Sequence, residues 1–177
     1  MKKIRLAVIF GGQSSEYAVS LHSAGSLIRK LHKERYDLLL VGITKDGKWY
    51  IYDGDVESIE HDTWLQDAST CPCVLSCSTA NHGFLKLCSD GSYEEIPVDC
   101  IFPVLHGKNG EDGTIQGLFE LSGIPYVGCG HMSSSICMDK EMTHIVLENA
   151  KVPCAPYLCV YEEKDMDYEA VYQEAKA

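Results

Sequence analysis

The sequence lacks any apolar run near the roughly 20 residues that a membrane-spanning helix needs. The apolar stretch at residues 6–10 ends at two glycines and is shorter than the core of a signal peptide. Basic residues are also few, since 15 Lys and Arg stand against 26 Asp and Glu, a formal net charge of −11. Such a surface repels phosphate backbones and anionic lipids. We therefore expect a cytoplasmic protein that has neither nucleic acid nor membrane as a partner.

A C-x2-C pair is also missing, although the chain has nine cysteines. Cys71, Cys73 and Cys77 crowd into the segment CPCVLSC, but structural zinc sites usually show the C-x2-C spacing. Zinc is therefore disfavoured and no metal ligands are predicted in this chain. Positions 71, 73, 75 and 77 share one face of a strand, so we expect the three thiols to pack inward and to stay reduced.

Continuous apolar runs that end in glycine or polar residues are typical of strands buried on both faces. Helix patterns, with apolar residues three and four apart, follow the first and third of these runs, and Thr114 is the predicted N-cap of the second helix. Two strand–helix–strand units predict an α/β fold with an open, mostly parallel sheet. The predicted strands are residues 6–10, 36–44, 98–106 and 124–128, and the helices cover 21–31 and 115–121.

The middle and the end of the chain have weaker patterns. Asp46-Gly47 predicts a hairpin with a return strand at 49–52, while residues 53–70 have no clear period. Short strands at 73–77 and 84–88 would extend an antiparallel annex. After a small-residue hinge from Gly128 we expect a helix at 136–150, a strand at 157–161, and a last helix that the sequence cuts short.

Two glycine-rich polar segments follow predicted strands, GGQSSEYAVS at 11–20 and HGKNGEDGTIQG at 106–117. Ligands of open parallel sheets collect at the carboxyl ends of the strands, so both segments are candidate site loops. The first is not G-x-G-x-x-G, which disfavours a dinucleotide site. Its Glu16 is suited to hold an ammonium group, but the dipole of the following helix would also favour an acid there. Both interpretations stay open.

His106 comes directly after a buried strand in the second segment. Taken alone, a histidine of this kind is more often hydrogen-bonded within the structure, and Asp112-Gly113 is also ordinary turn chemistry. Because both segments belong to the same sheet edge, we expect them to face each other across one crevice. Glu16 and His106 would then converge on one pocket that holds a zwitterionic amino acid.

The segment HGKNGEDGTIQG resembles the signature of the D-alanine–D-alanine ligase family. GGQSSEYAVS, GIPYVGCG and SSSICMDK resemble other motifs of that family, in the same order along the chain. GITKDGKWY and FPVLHGKNGEDGTIQG are similar to its D-alanine–D-serine branch, which accompanies vancomycin resistance of the G type. The resemblance implies a Rossmann-like pre-ATP-grasp domain at 1–130 and the truncated start of an ATP-grasp domain at 131–177.

The resemblance also implies a chemistry for peptidoglycan precursor synthesis in the cell wall. ATP, with Mg²⁺, phosphorylates the carboxylate of D-alanine, and the amine of a second D-amino acid, D-alanine or D-serine, displaces the phosphate. By residue match, Glu16 binds the ammonium of the first D-alanine, His106 and Gly107 line the same subsite, and Lys140 contacts an ATP phosphate. Val19 and Ser20 neighbour Glu16, with Ser20 linking the loop to the catalytic network. A homodimer is expected.

Two departures from the family limit this reading. Ala18 replaces an acid of the usual loop. The remaining ATP lysines, the magnesium carboxylates and an oxyanion arginine would lie in a C-terminal half that this sequence does not contain, so we expect no ligation by the chain alone. The alternatives are another ATP-grasp ligase that joins a carboxylate to an amine, and a Rossmann-like module that binds a small ligand without catalysis.

Overall fold

A computed structural model of the chain describes residues 2–161 and 166–176. The chain divides into two compact units, Met1–Ser135 and Ile136–Ala177. None of the described helices combines the length and the apolar character that crossing a membrane requires. The strands are β1 (Ile4–Gly11), β2 (Tyr36–Ile43), β3 (Trp49–Tyr52), β4 (Cys71–Leu75), β5 (Gly83–Leu87), β6 (Tyr93–Pro97) and β7 (Cys100–Val104). The α-helices are α1 (Tyr17–Lys30), α2 (Val56–Glu60), α3 (Thr114–Ser122), α4 (His131–Met138), α5 (Lys140–Asn149) and α6 (Tyr168–Lys176).

The strands form one seven-stranded sheet in the order β6-β5-β4-β3-β2-β1-β7. β1 pairs in parallel with β2 on one side and with β7 on the other. The other pairings, from β2 out to β6, are antiparallel. The α/β class and the antiparallel annex are confirmed, but the sheet is mixed rather than mostly parallel, because the hairpin after β2 reverses the chain and three further reversals follow.

β1 lies at the centre of the parallel part and is buried on both faces. Leu6, Val8 and Phe10 pack with α1 and α2, whereas Ala7 and Ile9 pack on the opposite face with α3. Side chains of a strand alternate between faces, so a continuous apolar run supplies both layers of the core at once. This explains why the first strand was readable from the sequence.

Several boundaries differ from the predictions. Thr114 is the first residue of α3 rather than its cap; Gly113, with φ of 90°, is the N-cap, and Asp112 accepts a hydrogen bond from the Thr114 N–H. The helix predicted at 136–150 is interrupted at Asp139, whose side chain accepts from the Met142 N–H and caps α5. A side-chain carboxylate that accepts a backbone N–H takes the place of the backbone carbonyl that would accept it in a continuous helix.

Two predicted strands are absent from the described chain. At 124–128 the chain makes only an isolated parallel bridge between Ile101 and Tyr126. Residues 157–161 have no regular structure. A strand needs a backbone partner, and the described residues of Ile136–Ala177 contain no other strand. Tyr157 instead stacks on His144, with ring centroids 4.0 Å apart.

The segment 53–70, which showed no period, contains α2 and a 3-10 helix at Trp64–Gln66. Trp64 is fully buried and packs edge-on against Phe10 at a centroid distance of 5.2 Å. A methyl group at Gly42 would lie 2.5 Å from the Trp64 ring, so the indole sits directly on the backbone of β2. The insertion therefore covers the α1 face of the sheet.

The cysteine segment follows the strand prediction only in part. Cys73 is buried on β4, and burial raises the pKa of its thiol to about 12. Cys71 is half-buried, whereas Cys77 lies beyond the end of β4 and is exposed, so the expectation that all three thiols pack inward is wrong for Cys77. Because β4 ends at Leu75, the alternation of side chains along the strand no longer places Cys77 on the inward face.

Candidate functional site

The carboxyl ends of β1, β2 and β7 meet at one edge of the sheet, where both glycine-rich segments begin. The Gly12 N–H donates to the Ile43 carbonyl at 2.8 Å and ties the loop after β1 to the end of β2. The Asn109 side-chain amide donates to the Gln13 carbonyl at 3.4 Å and ties the second loop to the first. The prediction that the two loops face each other at one sheet edge is therefore confirmed.

Ser20 links three elements at this edge. Its side chain is fully buried in the first part of α1. Its Oγ accepts a hydrogen bond from the Gly11 N–H at 2.8 Å and donates one to the Val104 carbonyl. The hydroxyl thus joins the last residue of β1 to the last residue of β7, which fixes the starting points of both loops.

Glu16 is the N-cap residue of α1, which begins at Tyr17, four residues before the predicted helix at 21–31. Its side chain makes no capping hydrogen bond, and the backbone N–H of Glu16 instead donates to the Ser14 hydroxyl at 3.1 Å. The carboxylate extends toward the second loop, because a methyl group at Gly107 would lie 2.6 Å from its Oε2. Among the described residues no donor is bonded to this carboxylate, which is exposed and available to a cation.

His106 follows β7 and borders a cavity of about 250 Å³. The loop after β1, the β2–β3 hairpin and the segment 105–118 form its mainly apolar wall, to which Trp49 and Leu118 contribute. Nε2 of His106 lies 3.2 Å from the Ser23 hydroxyl on α1. Glu16 is not among the residues that line this cavity. The loops meet, but a pocket shared by the Glu16 and His106 side chains stays a prediction.

Two acidic side chains of the second loop, Glu111 and Asp112, accept hydrogen bonds from backbone N–H groups of the same loop. Gly107 has φ of +69°, a conformation that favours glycine, and its N–H donates to Oε2 of Glu111 at 2.7 Å. The Asp112 carboxylate accepts from the backbone N–H groups of Asn109 at 2.8 Å and Thr114 at 3.0 Å. Burial alone would raise the pKa of Asp112, but these N–H donors outweigh it and hold the pKa below its usual value. Asp112 therefore fixes the loop in its ionised form.

A polar network that the sequence did not suggest lies directly behind the first loop. The Tyr17 hydroxyl donates to Oδ1 of Asp62 at 2.8 Å and accepts from Nε1 of Trp64 at 3.1 Å. Lys45 pairs with Oδ2 of Asp62 at 3.1 Å and lies 4.5 Å from the centre of the Tyr17 ring. The four residues lie in three separate segments of the sequence, and no local pattern connects them.

The other two predicted site residues have contrasting surroundings. Val19 lies in the first turn of α1 and is 51% exposed, so it is open to a neighbouring group. Lys140 is the first residue of α5 in the second compact unit, where its Nζ donates to the Cys137 carbonyl at 3.3 Å. The structure brings Glu16, Val19, Ser20, His106 and Gly107 to one end of the first unit.

Comparison with known proteins gives consistent matches over the whole chain. The family described as D-ala D-ala ligase N-terminus matches residues 5–129. A D-alanine–D-alanine ligase of Thermoanaerobacter sp. (strain X514) is 46% identical over 171 residues, covering 97% of this chain and 47% of that protein. The chain thus spans about half the length of the curated relatives it matches.

Solved structures agree. The VanG D-Ala:D-Ser ligase of Enterococcus faecalis matches with a TM-score of 0.80 and 42% identity, over 99% of this chain and 49% of that one. The D-alanine–D-alanine ligase of Coxiella burnetii matches with a TM-score of 0.85 and 31% identity, over the same shares. The family match covers most of the chain and includes both loops of the site. The chain therefore belongs to the D-alanine–D-alanine ligase family and corresponds to its N-terminal portion.

Proposed function

We propose that this chain is the N-terminal part of an ATP-dependent ligase that joins D-alanine to a second D-amino acid, D-alanine or D-serine, for peptidoglycan precursors. The domains would divide at residues 130 and 131, the Rossmann-like part binding the first amino acid and the rest beginning the ATP-grasp domain. The protein would act in the cytoplasm as a homodimer. Family membership and the resemblance to a D-Ala:D-Ser ligase support this assignment.

The observation that carries the proposal is the free carboxylate of Glu16 beside Gly107, where the two loops adjoin. A carboxylate without a protein donor is suited to a cationic ligand group, and the ammonium of an amino acid supplies a charge-assisted hydrogen bond. Gly107 has no side chain that would block the approach to Oε2. Glu16 would therefore hold and orient the first D-alanine by its ammonium group, leaving the carboxylate of that substrate to react.

The other residues have supporting roles in this proposal. His106 and Gly107 would line the first subsite, with the imidazole held by Ser23. Val19 would contact the substrate from the first turn of α1. Ser20, whose hydroxyl is committed to Gly11 and Val104, would act on the network by fixing both loops rather than by touching the substrate.

ATP would supply the phosphoryl group that activates the carboxylate of D-alanine. Lys140 fits a phosphate contact, because its amine is exposed and bonded only to a backbone carbonyl within the described residues. Across residues 2–161 and 166–176 there is no group of three or more His, Cys, Asp or Glu side chains that could hold a metal ion. The proposal therefore assigns no magnesium ligand to these residues and gives them the binding and orientation of the first amino acid, with Lys140 as a phosphate contact.

The test compares Glu16→Gln with Glu95→Gln in the full ligase, since Glu95 is exposed on the distant strand β6. D-alanine-dependent release of phosphate from ATP is measured with D-alanine alone and with D-serine added. Loss of one charge-assisted hydrogen bond should lower kcat/KM for the first amino acid by about ten- to a hundredfold in Glu16→Gln. Glu95→Gln should match the unmodified protein. Equal kinetics for both variants would remove Glu16 from the site.

A further inference from the structure

The network behind the first loop lies where it can act on Glu16. Tyr17 follows Glu16 directly, and its buried ring packs against Gly11, where a methyl group would lie 3.0 Å from Cε2. The ring therefore touches one end of the loop at residues 12–16, and the backbone of Tyr17 forms the other end. Tyr17 is also the first residue of α1, so the contacts of its ring bear on the point at which the loop enters the helix.

The Tyr17 hydroxyl is fixed from two sides. It donates to Asp62 and accepts from Trp64, and these partners belong to the insertion between β3 and β4 rather than to α1. Burial, followed by the hydrogen bond to Asp62, raises the pKa of Tyr17, so the hydroxyl keeps its proton and remains a donor. The hydroxyl thus ties the start of α1 to a different part of the fold.

Asp62 occupies an unusual backbone conformation, with φ of 56°. Asp and Asn tolerate the left-handed region better than most residues do, because their short polar side chains bond locally. Both carboxylate oxygens are used, Oδ1 by Tyr17 and Oδ2 by Lys45. Lys45 itself comes from the β2–β3 hairpin. Two segments outside α1, the β2–β3 hairpin and the insertion between β3 and β4, therefore converge on Tyr17, the residue next to Glu16.

The position of Glu16 depends on the contacts of Tyr17, because the Glu16 side chain makes no hydrogen bond of its own within the described residues. It makes no capping bond, so the place of its carboxylate follows from the place of the α1 backbone. We propose that Tyr17, Asp62 and Lys45 are positioning residues, which hold the first turn of α1 and thereby set the Glu16 carboxylate for the ammonium of the first amino acid. This inference rests on the proposed ligase function for its kinetic consequence, but the anchoring of α1 does not depend on that function.

The test uses Tyr17→Phe, which removes only the hydroxyl, and Tyr52→Phe as the matched control. Tyr52 is also buried in the core on the α1 face, and its hydroxyl donates to the Asp55 carbonyl at 2.8 Å, away from the start of α1. In the full ligase, Tyr17→Phe should raise KM for the first D-alanine about tenfold, the size expected for one hydrogen bond to a charged group, with kcat changed much less. Tyr52→Phe should leave KM unchanged, even if both variants melt earlier.

Two variants of Asp62 separate positioning from general stability. Asp62→Gly accepts the backbone conformation but removes the acceptor of Tyr17 and the partner of Lys45, so its KM should be at least that of Tyr17→Phe. Asp62→Asn keeps the acceptor for Tyr17 but loses the charge that pairs with Lys45, so its KM should lie between that of Asp62→Gly and that of the unmodified ligase. The double variant Tyr17→Phe/Asp62→Gly should resemble Asp62→Gly, because both single variants remove the same bond. Additive effects on KM, or equal KM values for Tyr17→Phe and the unmodified ligase, would overturn the inference.

Hydrogen exchange of the backbone amides of Tyr17 and Ser20, which donate to the carbonyls of Ser14 and Glu16, decides the anchoring step without any assay of activity. These amides should exchange faster in Tyr17→Phe than in Tyr52→Phe. Unchanged exchange would overturn the inference whatever the kinetics. If the unmodified ligase shows no D-alanine-dependent ATP turnover while the exchange result holds, the proposed function fails and the anchoring of α1 stands.

Discussion

Ser20→Ala should destabilise the first compact unit strongly, although it removes a single oxygen atom. Ser20 is fully buried, and its hydroxyl serves the Gly11 N–H and the Val104 carbonyl. A buried backbone group that loses its partner costs about 1–3 kcal/mol. Two such groups, less the benefit of no longer burying a hydroxyl, give an expected loss of about 2–4 kcal/mol in the free energy of unfolding.

Urea unfolding measures this loss well, because both tryptophans of the chain, Trp49 and Trp64, lie in the first unit and report on it by fluorescence. With a slope of about 2 kcal/mol per molar urea, the middle of the range for small proteins, the midpoint should fall by about 1–2 M. Ser15→Ala is the matched control, since Ser15 is exposed. A loss below about 0.5 kcal/mol, the range of ordinary surface changes, would refute the claim that Ser20 joins β1 to β7.

Two further predictions concern the loops. Gly11→Ala should unfold the first unit, or lower its free energy of unfolding several-fold more than Gly91→Ala does, as measured by the same urea titration. The two glycines have nearly equal φ, +87° and +85°. A methyl group at Gly11 would lie 2.2 Å from the Ile43 carbonyl oxygen, whereas a methyl group at Gly91 would meet no neighbour within 4 Å. Similar losses of unfolding free energy for the two variants would show that the positive φ, and not the contact with Ile43, determines the effect of the substitution. Asp112→Asn should destabilise the protein at neutral pH only. The folded-state pKa of Asp112 lies below its usual value, so the carboxylate contributes stability above the unfolded-state pKa and loses it as pH falls through the folded-state value. The difference in unfolding free energy between Asp112→Asn and the unmodified chain should therefore shrink in acid, and a constant difference would contradict the assignment.

The parallel part of the fold was predictable because its signals are local. The run at residues 6–10 supplies both faces of β1, and the glycines after it end the strand. The helix after the second loop ends at Ser122 with Gly123 as its C-cap, at φ of 68°, one residue beyond the predicted end at 121. These elements carry their pattern within a dozen residues, so no knowledge of distant contacts is needed.

The insertion at 53–70 was not predictable because its structure depends on partners far along the chain. Trp64 is buried only because Gly42 leaves room above β2, and α2 lies against α1 where Gly25 has no side chain to meet Glu60. Each of these contacts joins residues more than 20 positions apart. A polar segment with few apolar residues gives no period from which such packing can be read.

For the site, the sequence likewise indicated which residues take part but not how their side chains are oriented. The sequence indicated Glu16 and His106 as chemical groups, because both follow strands that end at one edge. It did not indicate their directions, which depend on the left-handed backbone at Gly107 and Asn109, with φ of 69° and 64°. It also missed Tyr17 and Asp62, since their contact spans 45 positions.

The position of Glu16 bears on the alternative that an acid stands there only for the helix dipole. An N-cap side chain that bonds to the first turn typically contributes about 1 kcal/mol to a helix. Asp55 and Asp139 do this for α2 and α5, with their side chains each accepting the backbone N–H group three positions on. Glu16 occupies the equivalent position in α1 and forgoes that bond, extending instead toward Gly107. The dipole attracts a carboxylate in either orientation, so it does not explain the choice. The proposed ammonium ligand would explain it, because the extended orientation leaves both oxygens free to accept from that group.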